Sequence, residues 1–238
     1  MPKKKSSDNS ESKKMEEKEK KIEGKEEGKE KEEKAEKESL LVPVEEYMKA
    51  AVHFGTRAVT PYMRQFVYKR RGDGIAILNT KKIDERIEIA ASFLSRYEPK
   101  DIIVCCKRDA GHKALEAFHK ALGVKIFKRY FPGIITNPTL ENFLEPKCLF
   151  IVDPWADKNA LHDAIKIRIP IVALCNTNNS TANIDLVVPC NNKTAKSIGL
   201  VLYLIAKLYL EKRGEKKQLD PKEFYVEEET ELKKLKEK

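Results

Sequence analysis

Three short stretches of the chain, Ile102-Ile103-Val104, Phe150-Ile151-Val152 and Ile171 to Cys175, are apolar at every position. A strand with one wetted face alternates apolar and polar residues, so a strand without alternation is covered on both faces. Between these stretches the apolar spacing becomes helical. Strand and helix in alternation mark an α/β protein with a mainly parallel sheet. The expected architecture is a three-layer α/β/α sandwich, preceded by an N-terminal helix and a β-hairpin.

The element boundaries follow from local chemistry. Pro43 suits a first helical turn, and Val44, Tyr47, Met48, Ala51 and Val52 share one face of a helix ending near His53-Phe54-Gly55. Gln65 to Tyr68 and Ile75 to Leu78 read as hairpin strands around Gly72-Asp73-Gly74. A helix over about 81–97 places Ile83, Ile87, Ala90, Leu94 and Tyr97 on one stripe and stops at Glu98-Pro99. Strands are expected at 102–106, 124–127, 148–152, 171–175 and 184–188, and helices at 109–122, closed by Gly123, and 158–167. The last helix, from Thr194 to about Arg213, is apolar nearly all round and must be packed on most of its circumference.

Charge divides the chain into three. Residues 1–39 hold 13 Lys and 13 acidic residues with almost no apolar content, a composition that cannot offset ordering entropy, so a disordered extension is expected. Residues 214–238 form a charged C-terminal tail with one short apolar anchor, Phe224-Tyr225-Val226, expected to dock on a neighbouring protein. Because residues 1–39 and 211–238 are each charge-balanced, the whole formal net charge of +9 sits on residues 40–210, within the domain over 40–213, which points to a polyanionic partner. The longest apolar run, Ile198 to Ala206, falls far short of the roughly 20 residues that span a bilayer. The N-terminus carries no apolar leader, so a soluble cytoplasmic protein without membrane partners is expected. Cys105, Cys106, Cys148, Cys175 and Cys190 form no CxxC pair and read as buried reduced thiols, and neither metal nor cofactor is expected.

Cations gather at two places. Arg57, Arg64, Lys69, Arg70 and Arg71 are interleaved with Tyr62, Phe66 and Tyr68, with no acid between Ala58 and Gly72, a pattern suited to phosphates and to base or sugar packing. Lys107, Arg108 and Lys113, then Lys128 and Arg129, lead into Phe131-Pro132-Gly133 and Thr136-Asn137 at strand ends, where ligand loops of open α/β sheets lie. Lys81, Lys82, Lys193 and Lys196 sit in or near helix first turns, where the dipole disfavours a cation by roughly 0.3 to 1 kcal/mol unless an anion is bound. Asp153 and Asp157 read as a turn capping the next helix rather than a catalytic pair, and Asp109 as an N-cap if the nearby lysines are merely solvated. His53, His112, His119 and His162 are too scattered to chelate, and no phosphate-loop or dinucleotide glycine motif occurs. No catalytic residue is assigned. The alternative is an α/β nucleotide-binding enzyme using the strand-end loops.

Five blocks in order carry a resemblance. They are Val44 to Gly55, Thr60 to Tyr68 with Gly72 to Ile75, Phe131 to Asn137, Glu145 through Asp153-Pro154 to Pro170, and Ala173 to Asn178 followed by Pro189 to Lys193. Together they resemble the universal small-subunit ribosomal protein S-two family in its archaeal and eukaryotic branch, which includes eukaryotic ribosomal protein SA, the laminin-receptor precursor. Asp163, Phe131 and Ile134-Ile135 depart from the usual residues, and no room exists for the helical hairpin of bacterial members. The resemblance implies a flavodoxin-like domain with five principal parallel strands in order 2-1-3-4-5. It implies a structural, non-enzymatic protein near the head-to-body junction, on the solvent side of the small subunit, with rRNA and neighbouring small-subunit ribosomal proteins as partners and no small-molecule substrate. Laminin binding is not carried over.

Overall fold

The computed structural model describes residues 40–215 and 217–224, so the expected disorder of 1–39 and the anchor residues Tyr225 and Val226 lie outside the described residues. The chain divides into the units Met1–Pro43, described only at residues 40–43, and Val44–Lys238, which carries every element below.

The second unit opens with α1 (Val44–Lys49), shorter than its spacing suggested, because Ala51 adopts a left-handed φ of 56° and turns the chain. Tyr47 and Val52 are buried as expected, whereas Met48 is exposed. The buried Tyr47 hydroxyl donates to Asp84 Oδ1 of the next helix, and burial pushes that hydroxyl well above the ordinary tyrosine range. A 3-10 turn at Tyr62–Phe66 precedes the ribbon β1 (Val67–Arg70) and β2 (Ala76–Leu78). The first strand therefore starts two residues later than its β-like run. Lys69 and Arg70, read as turn residues, stand in the strand itself, which is exposed from Tyr68 onward.

The helix α2 (Thr80–Leu94) is capped by Asn79, whose side chain accepts Lys81 N at 3.0 Å, and it ends three residues before Tyr97. Then follow β3 (Ile102–Cys105), α3 (Asp109–Leu122), β4 (Lys125–Phe127), β5 (Cys148–Ile151), α4 (Lys158–Ile167), β6 (Ile171–Cys175), β7 (Leu186–Pro189) and α5 (Ala195–Arg213). Gly123 closes α3 at φ 74°, a left-handed conformation that a side chain disfavours. The last strand begins later than expected: Ile184 N closes a turn onto the Thr181 carbonyl at 3.3 Å, and the Asp185 carboxylate accepts Ile171 N at 2.8 Å.

The five strands form one all-parallel sheet in the order β4-β3-β5-β6-β7, which is 2-1-3-4-5 by sequence. The connections leave β3 and β5 in opposite directions, and right-handed crossovers then put α3 and α4 on opposite faces. On the α3 face, α5 lies between α2 and α3. That explains its nearly continuous apolarity, with almost every residue from Ser197 to Ala206 buried. Strands β3, β5 and β6 are buried at every position, as three-layer packing requires.

Past α5, Lys217 Nζ donates to the Lys120 and Ala121 carbonyls at the end of α3, and the short helix α6 (Pro221–Phe224) follows. Phe224 is buried edge-on to Tyr203, at 5.6 Å between ring centroids. The first residue of the apolar anchor thus docks on its own domain.

Candidate nucleic-acid interface

The carboxyl end of the sheet is held by asparagines that immediately follow the strands. Asn179 Oδ1 accepts Asn176 N at 2.8 Å and Asn192 Nδ2 at 3.1 Å. The same Asn192 amide donates to the Val152 and Leu174 carbonyls, which binds the ends of β5, β6 and β7 together. All three asparagines are buried, and each such hydrogen bond contributes about 1 kcal/mol net while preventing a larger desolvation loss.

The network also fixes the entering chain. Thr177 Oγ1 accepts Thr56 N at 2.8 Å, Thr60 N donates to the Thr177 carbonyl at 2.9 Å, and Asn191 Nδ2 donates to the Ala51 carbonyl at 3.1 Å. Gly55 N donates to the Ala76 carbonyl and Ala76 N to the Thr56 carbonyl, each through the backbone. These bonds mount the β1–β2 ribbon on the carboxyl ends of β6 and β7. A Cβ on Gly55 would stand 2.6 Å from Thr177 Cγ2 and 2.8 Å from the Ala76 oxygen, so only glycine permits this approach. Sequence reasoning placed Asn176, Asn191 and Asn192 within motifs without giving them a role, and left Asn179 out. The signal was available, since several asparagines directly after apolar strands are placed to satisfy strand-end carbonyls.

On this frame, Arg57 lies beside Gly74 at the base of the ribbon turn, and Arg64, Lys69, Arg70 and Arg71 extend along the ribbon. Lys107 and Arg108 follow β3, Lys113 stands on the second turn of α3, Lys128 and Arg129 follow β4, and Lys193 follows β7. The two sequence clusters thus meet at one end of the sheet. Among the described residues Arg57, Arg64, Lys69, Arg70, Lys107, Lys113, Arg129 and Lys193 are exposed with no carboxylate at ion-pair distance.

Other candidates are engaged by the protein. Arg71 pairs with Asp73 at 3.4 Å, Lys128 pairs with Glu116, and Lys82 donates to the Gln65 carbonyl. Lys196 is half-buried in the first turn of α5. Thr136 and Asn137 stand apart from the strand ends, in a loop pinned to α4 by the Gly133 amide on Asp163 at 2.9 Å. Asn137 Oδ1 is occupied by Thr139 N and Thr139 Oγ1.

Between the ends of β3 and β5, where chain direction reverses and doubly wound proteins bind ligands, the protein fills its own crevice. Arg108 Nε donates to Asp153 Oδ2 at 2.5 Å, and Asp153 Oδ1 accepts Trp155 N and Asn179 Nδ2, both at 3.0 Å. The turn expected at Asp153 is present. Asp157, expected to cap α4, makes no cap bond and instead accepts Lys107 N at 3.1 Å, while Asp109 is the first residue of α3 with Arg108 at its N-cap.

Burial pushes the Asp157 carboxyl up to about 6, opposed by the Lys107 amide. Beside it a cleft of about 180 Å³ remains, lined by Lys107, Arg129, Phe131, Asp157 and Asn159 among others. All five cysteines are buried and unpaired, and burial lifts the Cys106 and Cys148 thiols to about 12, far from the reactive range. His112 and His119 make separate contacts, with Asp109 and with the Val124 carbonyl.

The fold and this site place the chain in the doubly wound α/β class, with exposed cations at a rigid end of the sheet. The Ribosomal protein S2 family model matches residues 47–145 and 140–211. The small ribosomal subunit protein uS2 of Ignicoccus hospitalis is 47% identical over 184 residues, covering 76% of this chain and 85% of that relative. The uS2 proteins of Staphylothermus marinus and Nanoarchaeum equitans are 48% and 45% identical, covering 74% and 73% of this chain and 80% and 87% of theirs. The chain belongs to the ribosomal protein S2 family in its archaeal form. It is a structural constituent of the small ribosomal subunit and not an enzyme, which sets aside the nucleotide-binding enzyme alternative.

Proposed function

We propose that the protein holds small-subunit rRNA through backbone phosphates at the carboxyl end of its sheet, near the head-to-body junction on the solvent side. The contacts run from Arg57, Arg64, Lys69, Arg70 and Arg71 on the ribbon side to Lys107, Arg108, Lys113, Lys128 and Arg129 beyond β3 and β4. Lys193 and Lys196 flank them at α5, and Thr136 and Asn137 lie on the outer loop. The domain doing this work spans 40–213, between the charged extension and the charged tail, and acts in the cytoplasm beside neighbouring ribosomal proteins.

The observation that carries this reading is the set of exposed cations without carboxylate partners on one rigid end of the sheet. A solvated charged face would be laced with ion pairs, whereas unpaired arginines stay available to neutralise phosphate. The mechanism is positioning: the asparagine network sets where the cations stand, and counterion release supplies the affinity.

Replacing Arg57, Arg64, Arg70 and Arg71 together by alanine tests it. Co-sedimentation with small subunits should weaken, and the salt slope should flatten by about 0.9 for each duplex phosphate that is no longer neutralised. Unchanged incorporation of a variant that keeps its circular dichroism would refute the assignment.

A further inference from the structure

The cleft beside Asp157 has features that phosphate positioning alone does not need. Asp157 is only 3% exposed and its Oδ2 accepts Lys107 N, while its Oδ1, without a hydrogen-bond partner among the described residues, is not among the fully buried unpartnered atoms and so keeps a solvent-accessible edge. An accessible carboxylate oxygen with no donor from its own chain can take one from a bound ligand in place of water. Two exposed cations with no carboxylate at ion-pair distance, Lys107 and Arg129, also line it, beside the 60% exposed ring of Phe131. Trp155, next to the lining residue Ala156, is 69% exposed. The volume of about 180 Å³ is small beside the roughly 300 to 1,000 Å³ of pockets that enclose a whole small-molecule ligand. An acid floor repels a phosphate, while a cationic rim repels a basic protein segment. One group satisfies both: a planar base whose edge donates hydrogen bonds while its own backbone phosphates flank it.

We propose that this cleft seats one unpaired, amino-bearing RNA base, read at its edge by the Asp157 carboxylate and stacked on Phe131 with Trp155 at the mouth. Lys107 and Arg129 take the phosphates on either side. Carboxylates accept from the cytosine amino group, and aromatic side chains stack on any base face. The inference rests on the reading of this end as the RNA face, and it adds to that reading a single-nucleotide contact with base preference.

Trp155 is the sole tryptophan of the chain, so its fluorescence reports this cleft in the full-length protein. Titration at pH 7.5 with hexacytidylate, hexauridylate and cytidine monophosphate should show saturable quenching by hexacytidylate. Binding of hexauridylate should be about 5- to 150-fold weaker, and the mononucleotide, which brings one phosphate instead of two, should also bind more weakly. Phe131→Ala, at an exposed ring, should weaken hexacytidylate binding about 5- to 150-fold, and Asp157→Asn should abolish the preference for cytidine. Equal quenching by both hexamers, tighter binding of the mononucleotide, or an unchanged Phe131→Ala titration would overturn the proposal. In assembled subunits, ultraviolet crosslinking at Trp155 should capture RNA, and capture of protein instead would also overturn it. Failure here with the arginine variant still defective in assembly removes the base seat alone, whereas an arginine variant that assembles normally removes the phosphate face.

Discussion

Replacing Arg108 by alanine would strip a carboxylate that is 1% exposed of the one cation paired with it among the described residues. Asp153 would keep the Trp155 amide and the Asn179 side chain, each at 3.0 Å, but lose both bonds to the guanidinium. Orphaning one partner of a fully buried pair costs about 3 to 5 kcal/mol. Arg108 is 34% exposed, so water reaches its side of the pair and the expected loss falls to about 2 to 3 kcal/mol. With a urea m-value of about 2 kcal/mol/M, the unfolding midpoint should drop by about 1 M. Adding Asp153→Asn to the alanine variant removes the buried charge and should restore at least half of that loss. The reasoning fails if Arg108→Ala unfolds at the native midpoint, or if the second substitution restores nothing. The comparison matters for function too, because it separates lost stability from a lost phosphate contact in any weaker RNA binding by Arg108→Ala.

Asp157 predicts a pH dependence of definite sign. Its folded carboxyl sits at about 6 through burial, above the ordinary value of 3.8, so the neutral form favours folding below about pH 4 and this contribution is lost as pH rises through 6. The unfolding free energy of Asp157→Asn minus that of the native chain should therefore rise by about 3 kcal/mol between pH 4 and 7, and a flat difference in denaturant titrations would contradict the assignment. Gly55→Ala should cost about 1 to 3 kcal/mol, since the new Cβ would lie 2.8 Å from the backbone oxygen of Ala76 and 2.6 Å from Thr177, and an unshifted urea midpoint would show that the ribbon joint yields freely.

The elements that sequence reasoning placed correctly are those whose boundaries are local. Helices α3 and α4 begin and end where spacing and Gly123 put them, and β6 starts after Pro170, because each signal lies within a few residues of its consequence. The strand order was available through the family resemblance and not from periodicity, which cannot say which strand neighbours which. Misplacements have distant causes. Asp157 sits where a cap is expected, yet its acceptor is taken by an amide fifty residues earlier in the chain. Gln65 and Phe66 have β-like chemistry but close a 3-10 turn that ends with Val67 turning extended. Within the site, the cations were legible because charge without nearby acid is a composition signal. Which of them also pair within the protein, as Arg108, Lys82 and Lys128 do, depends on partners set by the tertiary fold.

The joint between the ribbon and the sheet also sets a clock. Thr56 is held by Thr177, 121 positions later, and Ala51 by Asn191, 140 positions later. At about 5 to 20 residues per second of synthesis, the segment carrying the first arginines waits some 7 to 28 seconds for the residues that fix it. During that interval the emerging chain displays its positive charge on an untethered ribbon, able to attract nucleic acid only loosely. The geometry that fixes the ribbon arrives only with β7 and the two asparagines that follow it.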